Sequence, residues 1–335
     1  MVSIPITRYG HARIGILGNP GDAFGGPAIA AAIGEFRAQA SADVSERLRL
    51  QDPPEEMPEW SNLEALERRV HRYGCVGGRP LMQALLARLL RYARDHDLYI
   101  PRDRNLSLTW LSRIPPRVGL GGSSALLVAA LRAVTAFWGL HIPPLQQVDI
   151  LLRCEREDLG IPAGPQDRVA QVFEGAVYLE QHLGGVLRVE TIPSTVLPPL
   201  FVAIDERGAE GTEVPHSHLR ARFLRHDPEA LEAIREWGRL ARKGRELLMA
   251  GRGEELGPLM DENFELRRRV VPLNPRHVAM VDTARRAGAH AKFAGSGGAI
   301  VGTCSLERME TVLAALREHG YTAFQPRIQN PSATV

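Results

Sequence analysis

The sequence predicts a two-domain α+β protein, and three observations predict it. A chain of 335 residues, 44% of them hydrophobic, is long enough for one or two sizeable cores. From residue 275 onward the pattern runs helix, strand, glycine turn, strand, helix, strand, the order of a split βαβ sandwich. Between residues 192 and 200 the chain turns proline-rich, with Pro193, Pro198 and Pro199. That stretch sets the expected domains at 1–195 and 196–335.

The elements follow in order. Residues 12–17 (ARIGIL) read as a strand, ended by the turn-forming run Gly18-Asn19-Pro20-Gly21-Asp22. Residues 80–94 open on Pro80 and place Leu81, Leu85, Leu86 and Leu89 at helical spacing. Residues 106–110 alternate like a strand. A glycine-rich loop at 119–124 leads into an Ala/Leu/Val helix at 124–137, and Pro143-Pro144 opens another at 145–159. Residues 169–179 suggest strands that turn at Gly175. Charged helices are expected at 228–250 and 260–270, the second carrying Arg267-Arg268-Arg269. The last segment places helices at 275–287 and 306–319, strands at 291–294 and 299–304, and a final strand.

Composition excludes several classes of function. Basic and acidic side chains nearly cancel, 41 against 39, which leaves no electrostatic footprint for nucleic acid. No apolar run reaches membrane-spanning length, and residues 1–8 lack a signal-peptide pattern. Cys75, Cys154 and Cys304 have no CxxC spacing. A disulfide framework or cysteine-rich zinc site is therefore not expected, and a reducing cytoplasm fits. Lysine occurs only at Lys243 and Lys292, so no mechanism that needs a lysine in the first 242 residues is available.

The loop Pro115-Pro116-Arg117-Val118-Gly119-Leu120-Gly121-Gly122-Ser123-Ser124-Ala125 is the most informative stretch. Its glycines allow a close backbone approach, and the serine pair stands where a helix cap would stand. The next helix aims its free N–H groups at the loop. Such a loop is either a capped turn or an anion cradle, and a hydroxyl there can also ligate Mg²⁺. Neither GxxxxGK[ST] nor GxGxxG matches it. A second cluster, Lys292-Phe293-Ala294-Gly295-Ser296-Gly297-Gly298, reads as a hairpin turn or as a backbone wall against phosphates. Glu155 lies on the apolar stripe formed by Val148, Leu151, Leu152 and Leu159. An inward carboxylate needs an arginine partner, a proton or a metal ion. Asp167 follows a Gly/Pro turn and is either a general base or an exposed turn residue.

Together these pieces resemble the GHMP kinase superfamily. Its N-terminal strand and turn, phosphate loop and C-terminal glycine turn are similar to residues 13–22, 115–125 and 292–298 here, in the same order. Within the superfamily the likeness to the plant-type glucuronokinases runs along nearly the whole chain. It includes ARIGILGNPGD, residues 166–172, Met260, Asn263-Phe264 and Arg267-Arg268-Arg269. Gly121 and the longer Gly-Gly pair before Ser123 depart from the usual loop.

The resemblance implies a two-domain fold with a left-handed βαβ unit in the N-terminal domain and a ferredoxin-like sandwich in the C-terminal one. It implies ATP and Mg²⁺ as cofactors and a small sugar or sugar acid as partner, with glucuronate phosphorylated on its anomeric hydroxyl. Another sugar acid or a heptose phosphate is the alternative acceptor, and a decarboxylase of the same superfamily is the more remote alternative. The chain is expected to act as a monomer or homodimer. Asp167 and Arg13 would be catalytic. Pro115, Gly119, Leu120, Gly121, Gly122, Ser123, Ser124, Ala125, Gly295, Ser296 and Gly297 would hold the nucleotide, and Ser124 and Glu155 the Mg²⁺. Asp22, Arg168, Asn263 and Arg267 would bind substrate, the arginines as carboxylate forks.

Overall fold

The computed structural model describes residues 4–51, 59–67, 80–101, 103–181, 186–208 and 213–331. Cys75 lies outside the described residues.

The first sheet is built on a long hairpin. Strand β1 (Ile6–Leu17) runs antiparallel to β2 (Ala28–Val44) along one edge of β2. The opposite edge of β2 takes β5 (Leu106–Ser112) along its second half and β6 (Ala176–Gln181) along its first. Strand β3 (Leu48–Gln51) pairs parallel with β5, and β4 (Glu59–Trp60) and β7 (Leu187–Ile192) complete the seven strands. The chain passes between β3 and β5 through helix α1 (Pro80–Asp95).

Strand β2 is absent from the sequence-based expectation, because its residues AIAAAIGEFRAQASADV are rich in alanine, a strong helix former. Pairing on both edges overrides that preference. Ala38, Ala40 and Ala42 are buried while their neighbours are not, a period of two. These small side chains belong to the core shared with helix α2 (Gly122–Trp138), which packs on β1 and β2.

Two expectations are corrected here. The helix expected at 145–159 divides into α3 (Pro144–Arg153) and a wider π turn over Cys154–Asp158, which carries Glu155. Of residues 169–179, expected as strands, 169–173 instead belong to helix α4 (Gln166–Phe173). It is wedged between β1, β2, α2 and α3, and seven of its eight residues are buried. Eight residues make only about two helical turns, too few for the period to be told from a strand, so its Val and Phe residues read as a strand.

The second sheet has the order β11-β8-β10-β9 and is antiparallel throughout. It comprises β8 (Leu200–Ile204), β9 (His290–Phe293), β10 (Ala299–Thr303) and β11 (Thr322–Phe324). Helices α5 (Glu213–Leu224), α6 (Pro228–Met249), α7 (Leu256–Val270) and α8 (Pro275–Arg286) lie between β8 and β9, and α9 (Leu306–Glu318) between β10 and β11. This is the ferredoxin-like βαββαβ order with three helices added. None of the described helices is long and apolar enough to cross a membrane.

One apolar cluster spans both sheets. Ile14 and Ile16 of β1 and Ala31 of β2 share it with Val202 of β8, Met260 of α7 and Val301 of β10. The outer edge of β1 is finished by backbone from the other half, with Gly15 N donating to Ala294 O at 2.8 Å. Because Ile14 is fully buried in this joint, Ile14→Ala is expected to lower unfolding stability by about 2–5 kcal/mol. Leu306→Ala, at a position 71% exposed, should change it by no more than about 0.5 kcal/mol. Urea denaturation of both variants checks the contrast.

Candidate active site

A pocket of about 740 Å³ opens where the end of β1, the glycine-rich loop before α2, the turn before α4 and the β9–β10 turn converge. Most residues singled out in the sequence line it. They include Arg13, Asp22, Pro115, Gly119, Leu120, Gly121, Gly122, Ser123, Ser124, Glu155, Asp167, Arg168, Gly295 and Ser296.

Arg13 organises the centre. Its Nε donates to Asp167 Oδ1 at 2.7 Å and its Nη2 to Oδ2 at 2.8 Å, a two-pronged fork. Nη1 donates to Gly119 O at 2.5 Å. Its backbone N–H bonds Leu120 O at 3.1 Å, so the glycine-rich loop is held both by side chain and by strand edge. The Asp167 side chain keeps 22% exposure at the head of α4, within reach of a substrate.

The two glycine turns face each other. A Cβ on Gly295 would lie 2.1 Å from Gly119 O, so only glycine permits this approach. Helix α2 starts at Gly122, with Gly121 at φ 75° as its cap residue. The sequence places the serine pair at that boundary, but the left-handed backbone gives it to glycine. Ser123 and Ser124 therefore stand in the first turn, and Ser124 Oγ donates to Gly121 O at 3.0 Å. Ala125 and Gly297 lie behind the wall: Ala125 is fully buried, and Gly297 O packs against Gly119.

Glu155 is 2% exposed, as its place on the apolar stripe predicts. Its Oε2 accepts from Arg168 Nε at 2.5 Å and also from Arg168 Nη2. Arg168 Nη1 donates to Gly164 O at 2.9 Å. Arg168 thus offers no free fork to a ligand, which corrects its expected substrate role. Asn263 and Arg267 are also outside the pocket lining. Asn263 accepts from Gly18 N at 2.8 Å and donates to Asn19 O at 2.9 Å. One helical turn further on, Arg267 donates to Gly295 O at 2.6 Å and to Ser296 O at 2.8 Å. Both residues of α7 hold pocket loops by their backbones rather than facing a substrate.

Lys292 is a structural residue that the sequence leaves without a role. It is buried, and its Nζ donates to Gly15 O (2.7 Å), Asn19 Oδ1 (2.5 Å) and Phe293 O (2.8 Å). Burial, then Arg267 and Arg13, push its pKa well down. Gln171 was likewise unassigned. Its Nε2 donates to Gly121 O at 2.8 Å and to His11 O at 3.0 Å. The signal for both is a polar residue inside an otherwise apolar, glycine-flanked segment.

Two observations bear on a nucleotide and its metal ion. Ser296 Oγ is buried at the pocket without a hydrogen-bond partner among the described residues, and it stands beside Gly119, where a phosphate oxygen would satisfy it. Glu155 Oε1 has no bonding partner among the described residues, and with Ser124 Oγ it offers hard oxygen donors suited to Mg²⁺. No group of three or more His, Cys, Asp or Glu among the described residues forms a metal cage. The protein's donors therefore fit an ion that takes its other ligands from phosphate and water.

This arrangement suits phosphoryl transfer, and comparison with known proteins gives the class of the chain. Residues 82–175 match the GHMP kinases N terminal domain and residues 245–322 the GHMP kinases C terminal domain. The chain belongs to the GHMP kinase family, whose members are ATP-using kinases. It is 36% identical to glucuronokinase 1 of Arabidopsis thaliana over 310 residues, 89% of this chain and 85% of that protein. It is 34% identical to the probable glucuronokinase 2 of the same plant, over 88% and 82% of the two chains. The fold superposes on Lactococcus lactis galactokinase complexed with galactose with a TM-score of 0.77 at 16% identity, covering 100% and 96% of the chains. Methanococcus jannaschii mevalonate kinase gives 0.76 at 18% identity, covering 98% and 99%.

Asp22 yields a pH test. It is 6% exposed, and a Cβ on Gly164 would lie 2.1 Å from its Oδ2, so glycine lets the turn close over the carboxylate. Burial, and secondly the Asp167 charge, push its pKa from 3.8 to about 6. The folded value lies above the unfolded one, so this group's contribution to stability is full below 3.8 and is lost as pH rises through 6. Asp22→Asn is therefore expected to be more stable than the parent by about 2–3 kcal/mol at pH 8 and nearly equal to it at pH 3.5. Urea midpoints at the two pH values check this. A difference independent of pH contradicts it.

Proposed function

We propose that this protein is a glucuronokinase, which transfers the γ-phosphoryl group of ATP to the anomeric hydroxyl of D-glucuronate and releases 1-phospho-D-glucuronate and ADP. The observation that carries the reading is the identity to the glucuronokinases along nearly the whole chain, combined with the Arg13–Asp167 fork at the pocket centre.

Phosphoryl transfer needs positioning and charge stabilisation more than covalent chemistry. The N–H groups of Gly122, Ser123 and Ser124, free at the start of α2, receive the phosphates. Ser296 Oγ adds a donor from the facing turn. Mg²⁺, held by Ser124 and Glu155, would neutralise phosphate charge. Asp167, fixed by the Arg13 fork, orients the anomeric hydroxyl and accepts its proton. Arg13 places a permanent positive charge beside the reacting atoms and locks the glycine-rich loop to them through Gly119 O. Asp22 accepts hydrogen bonds from sugar hydroxyls next to Asp167.

We assign residues 1–195 and 196–335 to the two domains; the last strand of the first sheet ends at Ile192 and the first strand of the second begins at Leu200. All groups named above come from one chain, which supports a site complete in a monomer or in each half of a homodimer. Cys154 and Cys304 are buried thiols that form no disulfide among the described residues, which agrees with a reducing cytoplasm.

The test is ADP release with Mg-ATP and a panel of glucuronate, other uronic acids, galactose, heptose phosphates and mevalonate, with the product read by ³¹P NMR. Glucuronate is expected to be the preferred acceptor and to give a phosphate coupled to H1. Asp167→Asn should lower kcat by about 100-fold or more. A preferred acceptor other than glucuronate, or a product without the H1 coupling, overturns the reading.

A further inference from the structure

A sugar acid brings a carboxylate that no residue considered so far can receive. The guanidinium groups around the pocket can be accounted for one at a time. Arg13 uses Nε and Nη2 on Asp167 and Nη1 on Gly119 O. Arg168 uses Nε and Nη2 on Glu155 and Nη1 on Gly164 O. Arg267 uses both Nη groups on the carbonyls of Gly295 and Ser296. None of the three has a two-pronged face left for a ligand.

Arg156 differs. It sits in the same π turn as Glu155, on the more exposed side. Its Nε donates to Ala163 O at 2.6 Å, which fixes the guanidinium against the 161–164 turn. That turn lines the pocket together with Asp22, and Arg156 is bonded to its backbone from just outside the lining. Neither Nη of Arg156 has a hydrogen-bond partner among the described residues. The charges that act on Arg156 are those of Arg168, Asp22, Arg220 and Glu155, and none of these lies on the glycine turns. Glu155 is already paired with Arg168, so Arg156 and Arg220 of α5 leave an excess of positive charge beside Asp22.

The chemistry of the acceptor matches this position. In a hexuronic acid the carboxylate is borne by C5 and the reacting oxygen by C1, with the ring oxygen between the two carbons. The group that reads the carboxylate must therefore be a neighbour of Asp167 and distinct from it. Arg156 stands near Asp22, Glu155 and Arg168, which cluster around Asp167. With Nε anchored, its Nη1 and Nη2 form the planar fork that a carboxylate binds best. Arg117 also lines the pocket, but from the glycine-rich loop, beside Gly119 and Gly298, on the nucleotide side.

We infer that Arg156, reinforced by Arg220, is the residue that recognises the substrate carboxylate and so selects a sugar acid over a neutral sugar. The inference rests on the sugar-acid reading above, and the experiment separates the two. Kinetics are measured with glucuronate and with glucuronamide, its uncharged counterpart, for the parent, Arg156→Gln, Arg156→Lys, Arg220→Gln and Arg117→Gln. Arg156→Gln retains a donor for Ala163 O and loses the charge. It is expected to raise the KM for glucuronate by about 30-fold, the value of a charge-assisted hydrogen-bonded pair. The loss falls on KM more than on kcat, and the preference for acid over amide collapses. Arg156→Lys, which keeps the charge without the fork, falls between, and covers the case in which the glutamine variant does not fold. Arg220→Gln weakens the same preference by about 3-fold, as a screened charge at longer range does.

An unchanged acid-to-amide preference in Arg156→Gln overturns the inference. So does an equal loss on both substrates, or a preference that depends on Arg117 instead. In each of these cases a parent enzyme active on glucuronate leaves the proposed function standing. A parent that phosphorylates no uronic acid removes the functional reading and this inference together.

Discussion

Every part of the site depends on a single guanidinium. Arg13 lies on a strand whose outer edge is paired not with another strand but with the backbones of two turns, through Leu120 O and Ala294 O. Its side chain then joins the head of α4, through Asp167, to the glycine-rich loop, through Gly119 O. An arginine is required here because three donors are used in one plane, an arrangement that a lysine ammonium cannot supply. Its 5% exposure means that loss of either partner would leave a buried charge poorly compensated.

The C-terminal half reaches the site mainly through backbone contacts. Asn263 and Arg267, four residues apart on α7, grip the Gly18–Asn19 turn and the Gly295–Ser296 turn respectively. Lys292 ties β1, Asn19 and β9 together from beneath. The cluster containing Ile14, Met260 and Val301 makes this junction apolar as well as hydrogen-bonded. The two halves therefore position the walls of one pocket, and a shift of α7 would move both turns together.

Much of the site was legible in the sequence because its chemistry is concentrated in short windows. The glycine-rich loop, the 18–22 turn, the 292–298 turn and the carboxylates Glu155 and Asp167 each announce themselves by residue type and spacing. What was not legible depends on which way a side chain faces in three dimensions. Asn263 and Arg267 look like substrate ligands in a helix rich in polar groups, yet their face of α7 meets turns rather than the cavity. Arg168 reads as a free cation until Glu155, thirteen residues earlier, is brought onto it. Strand β2 is hidden by its alanines, whose helical preference is outweighed by pairing on both edges. Helix α4 is hidden because its eight residues make only about two turns, too few for the helical period to decide against a strand. The second half proved easier, since its helices carry clear caps, such as Asp227 accepting from Glu229 N and Ala230 N, and Asn274 accepting from Arg276 N.

The central claim is that Arg13 and Asp167 act as one unit, and a kinetic double-mutant cycle measures it most directly. The quantity is kcat/KM for the parent, Arg13→Gln, Asp167→Asn and the double variant. A unit predicts that the double variant loses little more than Asp167→Asn alone, a coupling of at least about 2 kcal/mol. Losses that simply multiply, with a coupling near zero, would contradict the account.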